Sequence, residues 1–192
     1  MSNKKTAAKT AEKMSKTKSA KAAKAKKNSS ESTALKIKVL FVCTGNTCRS
    51  PMAEQIFKDY LKKKKLLSKF EVKSAGLYAC QSDFISPGSC GALKSFGIIP
   101  KLSSSRQMDD KLYARSDFVI CMTAGHKAEL VGISAGKADI KNQKLYTVSE
   151  ITKGPDVPDP YGQSISQYRA VAEYLLYACG DILRLVGNKE EL

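Results

Sequence analysis

Cys43 and Arg49 stand five residues apart in Cys43-Thr44-Gly45-Asn46-Thr47-Cys48-Arg49-Ser50-Pro51, directly after the apolar run Val39-Leu40-Phe41-Val42. A thiol, small polar residues with one glycine, and a guanidinium suit an oxyanion. Consecutive backbone N–H groups of such a loop can curl into an anion-binding nest. Arg49 can hold two phosphoryl oxygens through its planar fork. Ser50-Pro51 reads as a helix N-cap followed by proline at the first helical position. The partial positive charge of that helix start would favour a Cys43 thiolate, depressing its pKa. Nucleophile, cradle and clamp together spell phosphoryl transfer through a cysteinyl-phosphate.

Two further stretches carry chemistry. Asp159, between Pro158 and Pro160 in Asp159-Pro160-Tyr161-Gly162, is the candidate general acid for the leaving group and general base for the water. Its proline flanks restrict the backbone and present the carboxylate on a fixed arm. Asp156 is the rival carboxylate. Thr44, Gly45, Asn46, Thr47, Cys48, Ser50 and Tyr161 are the candidate substrate-binding residues, and Asn46 is expected to brace the loop by its amide or a left-handed backbone.

The elements around these motifs alternate. Residues 36–42 read as a strand covered on both faces, having no polar alternation. A helix is expected over 51–66, a strand over 70–74, a helix over 87–96 stopped by Gly97, and a short helix over 108–114. A strand over 117–121, a brief helix over 127–131, a strand over 144–148 and a long helix over 164–186 complete the series. In the last, Ile165, Tyr168, Val171, Ala172, Leu175, Leu176, Cys179, Ile182, Leu183 and Val186 recur at three and four residues. Such alternation predicts an α/β domain, a parallel sheet with helices on both faces and the ligand at the carboxyl ends of strands.

The motif Cys43-Thr44-Gly45-Asn46-Thr47-Cys48-Arg49-Ser50-Pro51-Met52-Ala53-Glu54, with the late Asp159-Pro160-Tyr161-Gly162, resembles the low-molecular-weight protein phosphatase family. Ser74-Ala75-Gly76 and Asp117 to Met122 fall in that family's order, so the resemblance covers roughly residues 36–187. It implies a four-stranded parallel sheet in a three-layer αβα domain, Cys43 as nucleophile, Arg49 as phosphate clamp and Asp159 as acid. It also implies a Ser50 hydrogen bond to the thiolate, a redox switch pairing Cys43 with Cys48, and no metal or other cofactor. Thr47 takes the place of the bulky aliphatic residue of tyrosine-directed members, as in the family's protein-arginine phosphatases. A threonine hydroxyl could satisfy a guanidinium that an aliphatic wall would leave unpaired, and Gly162 removes a possible aromatic wall. Phosphoarginine in proteins is therefore the first expected substrate and phosphotyrosine the second. Tyr161 is familiar in the tyrosine branch. Thioredoxin-coupled arsenate reductases share the loop but need two later cysteines about eight positions apart, and here Cys121 is followed only by Cys179.

Composition bounds the rest. The chain has 192 residues and a formal net charge of +15. Residues 1–31 hold ten lysines, two glutamates and no Val, Ile, Leu, Phe or Tyr, and so carry +8 of that charge. A stretch this polar cannot offset its ordering entropy by burial. Residues 1–34 are expected to be a disordered basic tail with at most weak, salt-sensitive contact to nucleic acid or anionic surfaces, and 35–192 the phosphatase domain. The tail lacks the apolar core of a secretory signal, and no transmembrane run is present. Six cysteines in no disulfide-rich or zinc pattern point to a reducing cytoplasm.

Overall fold

The structure is a computed structural model that describes residues 35–134 and 144–187. The expected basic tail, residues 1–34, lies outside the described residues.

Four parallel strands form one sheet in the order β2-β1-β3-β4: β1 (Ile37–Cys43), β2 (Phe70–Gly76), β3 (Phe118–Cys121) and β4 (Lys144–Thr147). Cys43 pairs with Gly76, so the first two strands end level, and Val42 pairs with Cys121 on the other side. Successive side chains of β1 point to opposite faces. Val39, Phe41 and Cys43 enter one core with α1 (Arg49–Lys63), α2 (Pro87–Ser95) and α6 (Ile165–Gly187). Leu40 and Val42 enter a smaller one with Tyr113 and Leu130, from α3 (Asp110–Ala114) and α4 (Ala124–Ser134). Both faces are covered, which is why the strand reads as an unbroken apolar run. Phe41, Phe57 and Phe70 stack edge to face, with centroids 5.8 and 6.3 Å apart, and set α1 against the sheet.

Several boundaries differ from the sequence expectation. Helix α1 starts at Arg49 with Cys48 as its N-cap residue, so Ser50 lies inside the first turn and does not cap it. The reason is competition, because the Ser50 hydroxyl is taken by Asn46, Ala75 and Cys43. The serine-cap, proline-first pattern occurs instead at α2, where Ser86 Oγ accepts the Ser89 N–H before Pro87. Helix α2 ends as expected before Gly97, whose φ of +73° suits glycine. Helix α4 begins three residues early, since Thr123 Oγ1 accepts the His126 N–H. A fifth helix, α5 (Val148–Thr152), was not expected although Thr147 and Glu150 form a capping box around it. On α6, Ile165 is exposed and Ala178 is buried instead.

Candidate active site

The loop Thr44–Cys48 is held from outside by its carbonyls. Thr44 O accepts from Tyr78 N, Thr47 O from Ser86 N, Asn46 O from Ser105 Oγ, and Cys48 O from Met52 N. In a trans peptide the following N–H points opposite to the carbonyl. The N–H groups of Gly45, Thr47, Cys48 and Arg49 therefore turn away from the scaffold and toward the loop's concavity. Asn46 does both things expected of it. Its φ is +56°, and its amide spans the loop, donating Nδ2–H to Ser50 Oγ at 2.8 Å and accepting the Arg106 N–H at 2.8 Å.

Cys43 Sγ lies 2.9 Å from Ser50 Oγ, inside the protein. Burial pushes its pKa up, against the Ser50 hydroxyl, the N–H groups of Ser50 and Asn46, and the Arg49 charge, which pull it down. The net shift is upward, the reverse of the sequence expectation. Arg49 Nη2 is 2.7 Å from Asp159 Oδ2, so the guanidinium beside Cys43 is shared with a carboxylate. Ser50 has one proton and two acceptors, the thiol sulfur and Ala75 O at 3.2 Å. A Cys43 thiol donates to Ser50 and lets Ser50 donate to Ala75; a thiolate can take the Ser50 proton itself.

One cavity of about 270 Å³ collects Cys43, Thr44, Gly45, Thr47, Cys48, Arg49, Asp159 and Tyr161. Tyr161 is 72% exposed at its rim, and its N–H turns back to Asp159 Oδ1 at 3.2 Å. Gly162 is not among the lining residues; its φ of +71° gives it a conformational role, and a side chain there would meet open space. Asp156 is drawn elsewhere, accepting from Ala124 N at the start of α4 and from Ser149 Oγ. Cys48 Sγ is turned to Ser86 Oγ at 3.4 Å and to the Tyr168 hydroxyl at 3.6 Å.

Two residues of the site were missed in the sequence. Asp83, from the β2–α2 loop, lines the same cavity, and no motif marked it. His126 reaches Thr44 by a hydrogen-bond chain. Thr123 Oγ1 accepts the His126 N–H and lies 2.8 Å from Nδ1. The other ring nitrogen, Nε2, shares a hydrogen bond with Thr44 Oγ1 at 2.8 Å, and Thr44 Oγ1 also accepts from Arg49 Nη2 at 3.3 Å. A single histidine in a sequence carries no such signal.

Residues 38–192 match the family model described as low molecular weight phosphotyrosine protein phosphatase. The chain belongs to this family. It is 35% identical over 147 residues to the low molecular weight protein-tyrosine-phosphatase PtpB of Staphylococcus haemolyticus, covering 76% of this chain and 97% of that one. It is 35% identical over 139 residues to the protein-arginine-phosphatase of Bacillus subtilis, covering 71% and 88%. Among solved structures, the low molecular weight protein tyrosine phosphatase of T. tengcongensis superposes with a TM-score of 0.70 at 34% identity, over 78% of this chain and 99% of that one. With them it is a cysteine-dependent protein phosphatase. Among the described residues, no helix is long and apolar enough to cross a membrane.

Proposed function

We propose that the chain removes phosphoryl groups from protein side chains, phosphoarginine first, through a Cys43 phosphate intermediate. The observation that carries this is one cavity with a thiol and a guanidinium clamp beside two carboxylates, Asp159 and Asp83. The loop N–H groups and Arg49 receive the phosphoryl oxygens. A phosphoryl dianion displaces Asp159 from Arg49. Asp159, freed as a carboxylate, takes up the Cys43 thiol proton through solvent; the sulfur then attacks phosphorus while Asp159 passes that proton to the departing guanidine nitrogen or phenol oxygen. The S–P bond forms as the N–P or O–P bond breaks, and Ser50 holds the sulfur's charge. Asp159 then takes a proton from the water that splits S–P, returning Cys43 and free phosphate.

Asp83 supports the arginine reading, because a carboxylate at the rim suits a cationic guanidinium and offers a phenol ring nothing. Thr47 and Thr44 add hydroxyls, and the relative named protein-arginine-phosphatase matches across most of its length. Phosphotyrosine is the second reading, favoured by the exposed Tyr161 ring at the same rim. Side-by-side turnover of phosphoarginine and phosphotyrosine peptides decides between them. A higher kcat/KM for phosphoarginine, reduced several-fold more by Asp83→Asn than that for phosphotyrosine, is expected; a preference for phosphotyrosine overturns the arginine reading.

Its place is a reducing cytoplasm, where thiols such as Cys43 stay reduced. For the lysine-rich residues 1–34 we propose at most weak, salt-sensitive contact with nucleic acid or anionic surfaces. Retention on DNA that is unchanged by their deletion removes that contact.

A further inference from the structure

A second cavity, about 470 Å³, lies beside the starting halves of β1 and β2 and is lined by Lys38, Lys73, Arg106, Lys111 and Arg115. Lys38 is five residues before Cys43 on an extended strand, about 16 Å along it at ~3.3 Å per residue. The two sites are therefore separate. Two carboxylates also line this cavity, and both are already engaged. Glu71 pairs with Lys73, and Asp109 accepts the Leu112 N–H at 2.6 Å. Nearby Asp117 accepts the Lys38 N–H at 2.9 Å. Among the described residues, Lys38, Arg106, Lys111 and Arg115 form no ion pair.

The lining holds five cations against two carboxylates, an excess that a single phosphate dianion does not balance. The volume falls in the usual range for small-molecule sites. Two arginine forks suit oxyanions with paired oxygens better than a simple halide, and the excess of positive charge favours the doubly charged phosphate over a carboxylate.

Arg106 also touches the active-site scaffold. Its Nη1 donates to Ser74 O at 3.3 Å, and its backbone N–H donates to Asn46 Oδ1 at 2.8 Å. Asn46 holds Ser50, and Ser50 holds Cys43. We infer that this cavity is a second anion site, for a small molecule carrying two or more phosphate groups, and that its occupancy reaches Cys43 through Arg106 and Asn46.

The test titrates the full chain, without metal, with inorganic triphosphate and separately with ADP. The comparison is the double variant Lys111→Glu, Arg115→Glu; both residues are exposed and neither belongs to the catalytic loop. Binding at the active site and at residues 1–34 is common to both proteins and cancels in the comparison. The expected result is that, of the wild-type binding events, one becomes roughly tenfold or more weaker in the variant. At saturating aryl phosphate, triphosphate should change kcat of the wild type and leave that of the variant unaltered. Binding of both probes assigns the site to nucleotides and inorganic polyphosphate alike; binding of triphosphate alone restricts it to the inorganic anion. Superimposable isotherms for the two proteins overturn the site, and an unchanged wild-type kcat overturns the link to Cys43. The binding comparison needs no turnover, so it stands or falls independently of the phosphatase reading.

Discussion

Asp159 faces two demands on the same oxygen. Oδ2 is paired with Arg49, yet in the proposed role of general acid it must leave that partner and meet the leaving group. The pair is easily opened, because Asp159 is half exposed, and such contacts are worth about 0–1 kcal/mol. A doubly charged phosphoryl group outbids it for the guanidinium. Asp159→Asn is therefore expected to lower kcat by about 10²–10⁴-fold. The same variant leaves Arg49 unmatched beside Cys43, which favours the thiolate, so the pH midpoint of Cys43 alkylation should move down. A midpoint that stays or rises would show that Arg49's pairing has no part in the raised thiol. Thr47, whose Oγ1 lies 3.6 Å from Cys48 Sγ at the cavity wall, makes a second test. Thr47→Ile should shift the ratio of kcat/KM toward aryl phosphates and away from phosphoarginine by several-fold, read from paired initial rates. At this scale the sequence was legible where spacing carried the chemistry, as with Cys43 and Arg49. It was silent on Asp83 and His126, which reach the site only because the β2–α2 loop and the start of α4 converge on it.

Among the elements, β2 acts on the phosphate loop by its backbone. A Cβ at Gly76 would sit 2.5 Å from Thr44 O and 2.8 Å from Asn46 N, contacts that only a shift of the loop relieves. Displacements near 1 Å in a catalytic constellation can cost on the order of 10²-fold in rate. Gly76→Ala should accordingly lose about that much kcat while far-UV circular dichroism shows the helices intact; full activity would mean the loop position is not set by this contact. The element boundaries also show what local sequence can and cannot say. The cap at Ser86-Pro87 and the stop at Gly97 are local hydrogen-bond geometry and sit where such residues ought to place them. Ser50-Pro51 has the same local signature, but its hydroxyl is taken by partners 4, 7 and 25 residues away. The capping box at Thr147 and Glu150 was readable and passed unnoticed because the strand before it runs straight into the helix.

Across the whole molecule, His126 ties the β3–α4 junction to the loop after β1, and its charge state links stability to pH. Burial first, and the charge of Arg49 second, push its pKa below the ordinary value, while Glu129, Asp159 and Asp156 pull the other way. Folding thus holds the ring neutral, and the unfolded chain binds the extra proton. The stabilisation is complete above the unfolded value of about 6.5 and is lost as pH falls from there toward the folded value. Thermal unfolding should shift to lower temperature between pH 7.5 and 5.5, with a shallower dependence in His126→Asn; equal slopes in both proteins would remove His126 from the effect.

The Cys43-x5-Arg49 spacing, the candidate acid in Asp159-Pro160 and the alternating α/β order could be read from the chain alone, because each is encoded in contiguous residues or in a short period. Only the tertiary structure decided the direction of the Cys43 shift, the pairing of Arg49 with Asp159, the place of Asp83 and the basic cavity at Arg106. Each of these depends on burial and on charges brought together from distant parts of the chain, and neither is a property of any local stretch.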